Sequence, residues 1–324
     1  MRRRALALFI LFAALLAAFA PSAFAVTPDD WDEANPGALV EEHLYAQTAV
    51  LIDAETGDVL FDKDASVRMY PASTTKIMTV LLALESDIGL DEQITIPDIA
   101  ANVPSDSSVV PVTPGEVMPF RDLLYGTMLH SGNDGANAIA VLVGGSIEAF
   151  VESMNQRAAQ IGCTNTHFAN AHGYHDEAHY STAHDLALIA QTAMQNEDFR
   201  QIVSTAGYTM SPTENRGAYD IVTGAEMVNP NSGYYYEGCI GIKTGFHSQA
   251  GQCFVGALEK DGITLISVVL KTSTTPGDRS KMWWDTRKLF TYGMEQYVPY
   301  TLSDLFEAAG TSINTGPLRP VFAM

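Results

Sequence analysis

Ser73 and Lys76 stand three residues apart at the beginning of an apolar stretch that predicts a helix over residues 74–85. Residues at this spacing share one helix face, and a serine in the first turn lies where the helix dipole stabilises negative charge developing on oxygen. The apolar residues from Ile77 onward predict partial desolvation of Lys76, which lowers the pKa of its amine and makes it a base for a weakly nucleophilic hydroxyl. The spacing alone also fits an N-cap serine beside a lysine that reaches solvent.

A second polar motif, Ser131-Gly132-Asn133, lies between predicted helices over residues 120–129 and 137–143. A break between helices is a common position for functional residues, and a hydroxyl and a carboxamide two residues apart can face one cleft. An ordinary turn between two helices is the alternative interpretation.

A third motif, Lys243-Thr244-Gly245, ends a predicted strand just before a turn. The lysine and the threonine offer hydrogen-bond donors to a carboxylate, and the glycine lets a ligand backbone approach the strand edge. A strand that simply ends at a turn glycine is the alternative.

The predicted elements that position these motifs are two groups of strands separated by a helical middle section. Segregated strands and helices predict an α+β fold with an antiparallel sheet of about five strands flanked by helices. The predicted strands of the sheet cover residues 48–52, 59–61, 239–244, 253–258 and 264–270. Shorter strands are expected near residues 94–96 and within residues 205–235. Further helices are predicted over residues 146–161, after a Thr182 to Asp185 capping box, and over residues 279–292.

Composition limits the classes of function. The chain has 324 residues, of which 47% are hydrophobic and 17% charged, so it forms a large folded core and is not disordered. Its formal net charge is -20, and it has no long basic run beyond the first four residues. A nucleic-acid partner is excluded, because phosphate binding needs a concentrated positive surface.

The first 25 residues have the pattern of a signal peptide. Three arginines at positions 2–4 precede an apolar stretch over residues 5–20, and Ala23-Phe24-Ala25 is a small-residue cleavage site. We therefore predict export to the periplasm or the cell exterior, with an uncleaved membrane anchor as the alternative. Residues 294–324 are predicted to form a tail with no clear second domain and no amphipathic anchor pattern, which leaves membrane association open.

The chain contains cysteines and clustered histidines, the residue types that form disulfides and metal sites. Cys239 and Cys253 flank a predicted hairpin and could approach each other, although small buried residues in strands are the simpler interpretation. The loop region of the middle section is rich in histidines, but the chain has no His-Glu-x-x-His motif and no cysteine pair at metal-ligand spacing. Exposed loop histidines are therefore expected, and no metal or cofactor is predicted. The five clustered histidines are His167, His172, His175, His179 and His184.

The three motifs in this order resemble those of serine enzymes that react with penicillin. Residues 40–293 resemble the D-alanyl-D-alanine carboxypeptidases of peptidase family S11, the low-molecular-weight penicillin-binding proteins. The stretches that carry this resemblance are YPASTTKIMT, VPSDSS, DLLYGTMLHSGNDGANAIA, NTHFANAHGY, HYSTAHDLALIA and GIKTGFHSQAGQCFVGAL. The resemblance implies a β-lactamase/transpeptidase-like fold, a serine carboxypeptidase domain over residues 26–293, and removal of the terminal D-alanine from peptidoglycan stem pentapeptides. It also implies covalent reaction with β-lactams, which mimic the D-Ala-D-Ala dipeptide.

The resemblance implies catalytic roles for four residues. Ser73 would attack the D-Ala-D-Ala carbonyl and become the acyl-enzyme, and Lys76 would take its proton. Ser131 would pass a proton to the leaving nitrogen, with Lys243 adjusting that network.

It implies binding roles for further residues. Asn133 would hold a substrate amide, Thr244 and Lys243 would bind the terminal carboxylate, and Gly245 would complete the motif. The backbone N–H groups of Ser73 and Phe246 would form the oxyanion hole. Arg279 resembles an arginine that helps to recognise the carboxylate, with a surface ion pair as its alternative.

Two other functions share part of this pattern. A class A β-lactamase would carry a Glu-x-x-Leu-Asn loop, and the corresponding region, NTHFANAHGYHDEAHY, has none. A non-catalytic wall-binding protein would be expected to lack Ser73 or Lys76, and both are present. Two departures from the family pattern are GNDG in place of the commoner GNDA, and His247 where a threonine is common.

Overall fold

The computed structural model describes residues 26–296, and its helices and strands form an α+β fold. The strands in this part of the chain are β1 (Thr48–Asp53), β2 (Val59–Lys63), β3 (Gln93–Thr95), β4 (Val117–Pro119), β5 (Gly207–Met210), β6 (Tyr219–Val222), β7 (Cys239–Gly245), β8 (Cys253–Lys260) and β9 (Ile263–Leu270). The α-helices are α1 (Lys76–Leu84), α2 (Phe120–Leu129), α3 (Asn133–Gly144), α4 (Ile147–Ile161), α5 (Ala183–Ala193), α6 (Glu197–Val203) and α7 (Ser280–Gln296). Short 3-10 turns connect several of them.

Five antiparallel strands form the main sheet in the order β2-β1-β9-β8-β7. The predicted five-stranded antiparallel sheet is therefore confirmed. In this order β7 is an edge strand, so one side of its backbone is not paired within the sheet. The Lys243-Thr244-Gly245 motif lies at the end of this edge strand.

Both faces of the sheet are covered, and alternate residues of β1 show why. Val50 and Ile52 pack into the larger core, which the sheet shares with the helical middle section. Ala49 and Leu51 point to the opposite face and pack into a second core with helix α7. A strand buried on both faces needs an unbroken apolar sequence, which explains the run Ala49 to Ile52.

The structure differs from the sequence prediction in the middle section and at the end of α7. The short strands expected near residues 94–96 and within residues 205–235 form as β3, β5 and β6, and they belong to two small sheets, β3–β4 and β5–β6. Strand β4 and the short helix α6 were not predicted. Helix α3 begins at Asn133, four residues earlier than predicted, so the Ser131 motif runs directly into it. Helix α7 continues to Gln296 and takes in three residues that were assigned to the tail.

The predicted signal peptide, residues 1–25, and the rest of the predicted tail, residues 297–324, lie outside the described residues. Between residues 26 and 296, no single helix has the length and apolarity to cross a membrane, and α3 with α4 meets those criteria only as a pair bent by 84°.

The sequence left open that Cys239 and Cys253 approach each other, and the structure shows that they do not. In the β7–β8 ladder Cys239 lies opposite Leu258, whereas Cys253 lies opposite Gly245, so the two cysteines occupy opposite ends of the pair. An antiparallel hairpin brings together residues equidistant from its turn, and Cys239 is at the far end of its strand. Both are buried free thiols, as is Cys163, in agreement with the simpler interpretation.

Candidate active site

The turn that carries Ser73 is tightly held by its neighbours. A 3-10 turn, Ala72–Thr75, leads directly into α1, and the Thr74 and Thr75 hydroxyls donate to the carbonyls of Pro71 and Ala72. Ala72 has a φ of 48°, in the left-handed region that a residue with a Cβ rarely adopts. Such a conformation persists only where the surrounding structure enforces it, and it often marks a functional site. Ser73 itself remains partly exposed.

The Lys76 amine is buried and has three close partners. Its Nζ lies 3.1 Å from Ser73 Oγ, 2.7 Å from Asn133 Oδ1 and 2.8 Å from the carbonyl oxygen of His172. The predicted pair of Ser73 and Lys76 on one helix face is thus in hydrogen-bond contact.

Burial holds the pKa of Lys76 well below its usual range, and the positive charge of Lys243 lowers it further, whereas Asp134 acts in the opposite direction. Burial is the largest of these causes. A neutral amine has two hydrogens and one lone pair, and this pKa direction favours the neutral form as a base.

Ser131 and Asn133 lie at the start of α3 and face the same cleft. Ser131 has a φ of 66°, so the chain turns sharply between α2 and α3. The Asn133 side chain donates from Nδ2 to Ser107 Oγ at 3.0 Å while its Oδ1 contacts Lys76. The second motif is therefore joined directly to the first, and through Ser107 to the loop that precedes α2.

Gly245 shows why this strand must end in a glycine. A Cβ at this position would lie 2.9 Å from Pro71 O and 3.1 Å from the backbone nitrogen of Ser73. The edge strand β7 thus approaches the turn that carries Ser73 more closely than a side chain allows. This approach brings the backbone N–H of Ser73 beside the end of β7, next to Phe246.

Lys243 is buried within the sheet edge, and its Nζ donates to the carbonyl of Thr244 at 3.2 Å. Burial lowers the pKa of Lys243 to about 7, and the nearby charge of Arg279 lowers it in the same direction. Among the hydrogen bonds of residues 26–296, none joins Lys243 to Ser131.

Arg279 reaches the cleft from the residue before α7. Its Nη2 donates to the carbonyl of Gly224, and its Nη1 lies 3.3 Å from Glu226 Oε1. It lines the same cavity as Ser131 and Thr244. The ion pair that was the alternative does form, and it holds the guanidinium at the cavity wall.

Two adjoining cavities meet at Ser73 and Phe246. The first has a volume of about 400 Å³, and its polar wall includes Ser131, Thr244 and Arg279. The second has a volume of about 430 Å³ and is lined by Asn133, Tyr174, His175 and His247, among others. A substrate bound across Ser73 would therefore place one part in each cavity. The first cavity offers the donors for a carboxylate.

The histidine-rich loop contributes in a way that the sequence did not indicate. His172 and His179 are buried, so the expectation of exposed loop histidines is wrong for these two. Burial lowers the pKa of each to about 3. His172 meets the site through its backbone carbonyl, a group that no side-chain pattern reveals. Within residues 26–296, no group of three or more His, Cys, Asp or Glu side chains is arranged to hold a metal ion.

Ser107 was also missed as a site residue. It lies in VPSDSS, a stretch that carries the family resemblance but for which the sequence predicted no functional role. The loop is fixed against α3 because the backbone N–H of Asn133 donates to Ser108 O at 2.8 Å and Asp134 Oδ1 accepts from Val110 N at 2.8 Å.

Comparison with known proteins identifies the family. The family model described as Peptidase_S11, D-alanyl-D-alanine carboxypeptidase, matches residues 35–274. The chain belongs to this family. The D-alanyl-D-alanine carboxypeptidase DacF of Bacillus subtilis is 33% identical, with 90% of this chain and 72% of DacF covered. The D-alanyl-D-alanine carboxypeptidase of Streptomyces sp. strain K15 is 34% identical, with 90% of this chain and 98% of that protein covered.

Solved structures of this S11 family show the same fold. The crystal structure of the Streptomyces K15 DD-transpeptidase matches with a TM-score of 0.72 at 32% identity, covering 79% of this chain and all of that one. A D-alanyl-D-alanine carboxypeptidase from Mycobacterium tuberculosis matches with a TM-score of 0.69 at 33% identity, covering 77% and 91% of the two chains. The predicted transpeptidase-like fold is confirmed.

Proposed function

We propose that this protein is a serine D-Ala-D-Ala carboxypeptidase that removes the terminal D-alanine from peptidoglycan stem peptides through an acyl-enzyme on Ser73. The proposal depends mainly on the three hydrogen-bond contacts of the Lys76 amine. Asn133 Oδ1 and the His172 carbonyl accept hydrogen bonds, so they take the two hydrogens of a neutral amine. The lone pair is then left for the hydroxyl of Ser73, 3.1 Å away. Such an amine is a general base aimed at its nucleophile.

The first cavity accommodates the leaving D-alanine. Thr244 and Arg279, which line this cavity, supply a hydroxyl donor and a positive charge for its carboxylate, and Lys243 lies next to Thr244 on the same strand. The backbone N–H groups of Ser73 and Phe246 stabilise the oxyanion, which the close approach of Gly245 to Ser73 supports. The acyl part of the peptide occupies the second cavity, where Asn133 meets a substrate amide.

The proposed reaction moves one proton around this network. The Ser73 proton passes to Lys76 as Oγ bonds to the carbonyl carbon. When the C–N bond breaks, a proton reaches the leaving nitrogen through the Ser131 hydroxyl, with Lys243 adjusting the network, and D-alanine departs. Water then gives a proton to Lys76 and attacks the ester carbonyl. When the ester C–O bond breaks, Lys76 returns that proton to Ser73 Oγ, which frees the serine and the shortened peptide. A β-lactam acylates the same serine, but its opened ring keeps the leaving group tethered.

The site of action proposed for this protein is the cell envelope. The basic residues 2–4, the apolar residues 5–20 and the small residues around Ala25 support export of the chain through a cleaved signal peptide. The same cleavage after Ala25, together with the family resemblance, supports a catalytic domain over residues 26–293.

Mass spectrometry of the mature protein after exposure to benzylpenicillin tests the proposal. We expect one covalent adduct on Ser73 and release of D-alanine from a peptide that ends in D-Ala-D-Ala. Ser73→Ala is expected to abolish both. Ser153→Ala, which changes an exposed serine on α4, is the matched control and is expected to abolish neither. An adduct that persists in Ser73→Ala contradicts the proposal. Rapid penicillin hydrolysis without D-alanine release would indicate a β-lactamase instead.

A further inference from the structure

One acceptor of the Lys76 amine is a backbone group, the carbonyl of His172, 2.8 Å from Nζ. No substitution of the His172 side chain removes this oxygen. The position of this oxygen depends on the contacts that hold the neighbouring peptide units. The loop around residue 172 therefore helps to orient the Lys76 amine.

The side chain of Asn170 fixes those peptide units from both directions. Its Oδ1 accepts from the backbone N–H of Gly173 at 2.7 Å and from that of His172 at 3.3 Å. Its Nδ2 donates to the carbonyl of Tyr174 at 3.0 Å. One carboxamide therefore holds three backbone groups that bracket the His172 carbonyl, in an extended form of the turn that asparagine commonly makes with its own backbone.

The loop cannot relax away from the nucleophile turn without losing a close contact. Gly173 has a φ of 84°, and a Cβ at this position would lie 1.8 Å from the carbonyl oxygen of Ala72. The two backbones are therefore in direct contact, one residue from Ser73. A shift of the His172 peptide is transmitted to both partners of the proton transfer.

We propose that Asn170 is a positioning residue for the catalytic base, because it holds the His172 carbonyl against the Lys76 amine. This inference rests on the proposed function of Lys76. Asn170 acts through the backbone of His172 and is not itself among the residues that line the two cavities. Its contribution is to keep one amine hydrogen engaged, so that the lone pair faces Ser73.

Four charged or titratable groups interact with the Lys76 amine. Lys243 on β7 and Asp134 on α3 act on its pKa, and the two buried histidines of the loop, His172 and His179, interact with its charge. Substituting Asn170 changes none of these charges. A shift in the pH profile would therefore report the exposure of the amine.

The test is the rate of acylation by benzylpenicillin as a function of pH in Asn170→Ala. When the carbonyl moves away, water reaches an amine whose pKa is lowered mainly by burial, so the pKa of Lys76 rises. The acid limb of the profile is the fall in rate at low pH, where Lys76 becomes protonated. We expect it to move to higher pH by about one unit. We expect the plateau rate to fall by roughly 10–100-fold, because the lone pair is no longer aligned. A serine at this position makes a weaker form of the same turn, so Asn170→Ser should give an intermediate shift.

Asn155→Ala is the matched control. The carboxamide of Asn155 also holds this loop, because it accepts from Phe168 N and donates to Phe168 O, but the structure shows no hydrogen bond from it to residues 172–174. Loss of general loop stability affects both variants alike. The proposal requires that Asn155→Ala keep the wild-type acid limb.

The outcomes separate this inference from the proposed function. If wild-type protein forms no adduct on Ser73, the proposed function fails. If the wild type reacts and Asn170→Ala keeps its acid limb and plateau, Asn170 has no positioning role. An equal shift in Asn155→Ala also overturns the inference, because it assigns the effect to the loop as a whole. Should Asn170→Ala not fold, the comparison of Asn170→Ser with wild type decides in the same way.

Discussion

Asn133 Oδ1 lies 2.7 Å from Lys76 Nζ, although the two residues are 57 positions apart in the chain. This contact joins the second motif to the first, and it makes the amide of Asn133 a determinant of the protonation state of Lys76, the proposed base. A neutral acceptor leaves the amine free to lose its charge, whereas an anion would not.

Asn133→Asp is expected to disable the base without removing it. A carboxylate at 2.7 Å stabilises the ammonium form, so the pKa of Lys76 rises and the neutral fraction near pH 7 falls. We expect acylation by penicillin at pH 7 to slow by roughly 100-fold, with partial recovery at higher pH, as measured by stopped-flow fluorescence. Asn137→Asp, on the next turn of α3, is the control. A uniform loss at every pH would argue against this role.

Gly245→Ala is expected to impair catalysis more than folding. Its Cβ would lie 2.9 Å from Pro71 O and 3.1 Å from Ser73 N, which forces the end of β7 away from the nucleophile turn. Loss of one oxyanion donor costs roughly 100–1,000-fold in rate, and we expect a loss of that order in D-alanine release.

Gly233→Ala is its control, because a Cβ there meets nothing within 4 Å. Thermal unfolding of both variants checks that the change is local. If Gly245→Ala released D-alanine at the wild-type rate, β7 would not form part of the oxyanion site.

Arg279→Ala is expected to weaken recognition of the terminal carboxylate. The guanidinium lines the same cavity as Thr244, and we expect kcat/KM for a peptide ending in D-Ala-D-Ala to fall by roughly 10–100-fold. For the same peptide with an amidated C-terminus, the variant and the wild type should differ little. Arg287→Ala, farther along α7, is the control. Equal losses on both peptides would mean that Arg279 acts only through its pairing with Glu226.

Acid sensitivity of the fold is expected from the buried histidines. The pKa of His179 falls from its ordinary 6.5 to about 3 because of burial, so the unfolded chain binds a proton that the folded chain does not between these values. The contribution of His179 to stability is therefore fully present above pH 6.5 and declines as the pH falls below it, by about 1.4 kcal/mol per pH unit.

His179→Gln is expected to reduce this slope. Glutamine does not titrate and offers a donor for Thr75 Oγ1, which His179 contacts at 2.8 Å. Urea unfolding between pH 4 and 7 measures the difference. An unchanged slope in the variant would show that other groups dominate acid unfolding. The exposed His167 provides the control substitution, His167→Gln.

Much of the fold follows from local patterns. The apolar periodicity after Ser73 predicts α1, and the run over residues 48–52 predicts β1. These signals are reliable because burial imposes them along consecutive residues. The extent of α3 and the presence of α6 were not predicted, since a short helix is stabilised mainly by packing that has no local signature.

The amino-acid sequence by itself determined which side chains are candidates for the chemistry: a serine and a lysine one helical turn apart, a second serine with an asparagine, and a lysine at a strand end. Only the tertiary structure decided how they are aimed. The His172 carbonyl at the base, the burial of His179 and the separation of Cys239 from Cys253 all depend on contacts between distant segments. Residue type fixes what a side chain is able to donate or accept, but backbone groups are the same in every residue, and only the folded chain determines where they lie.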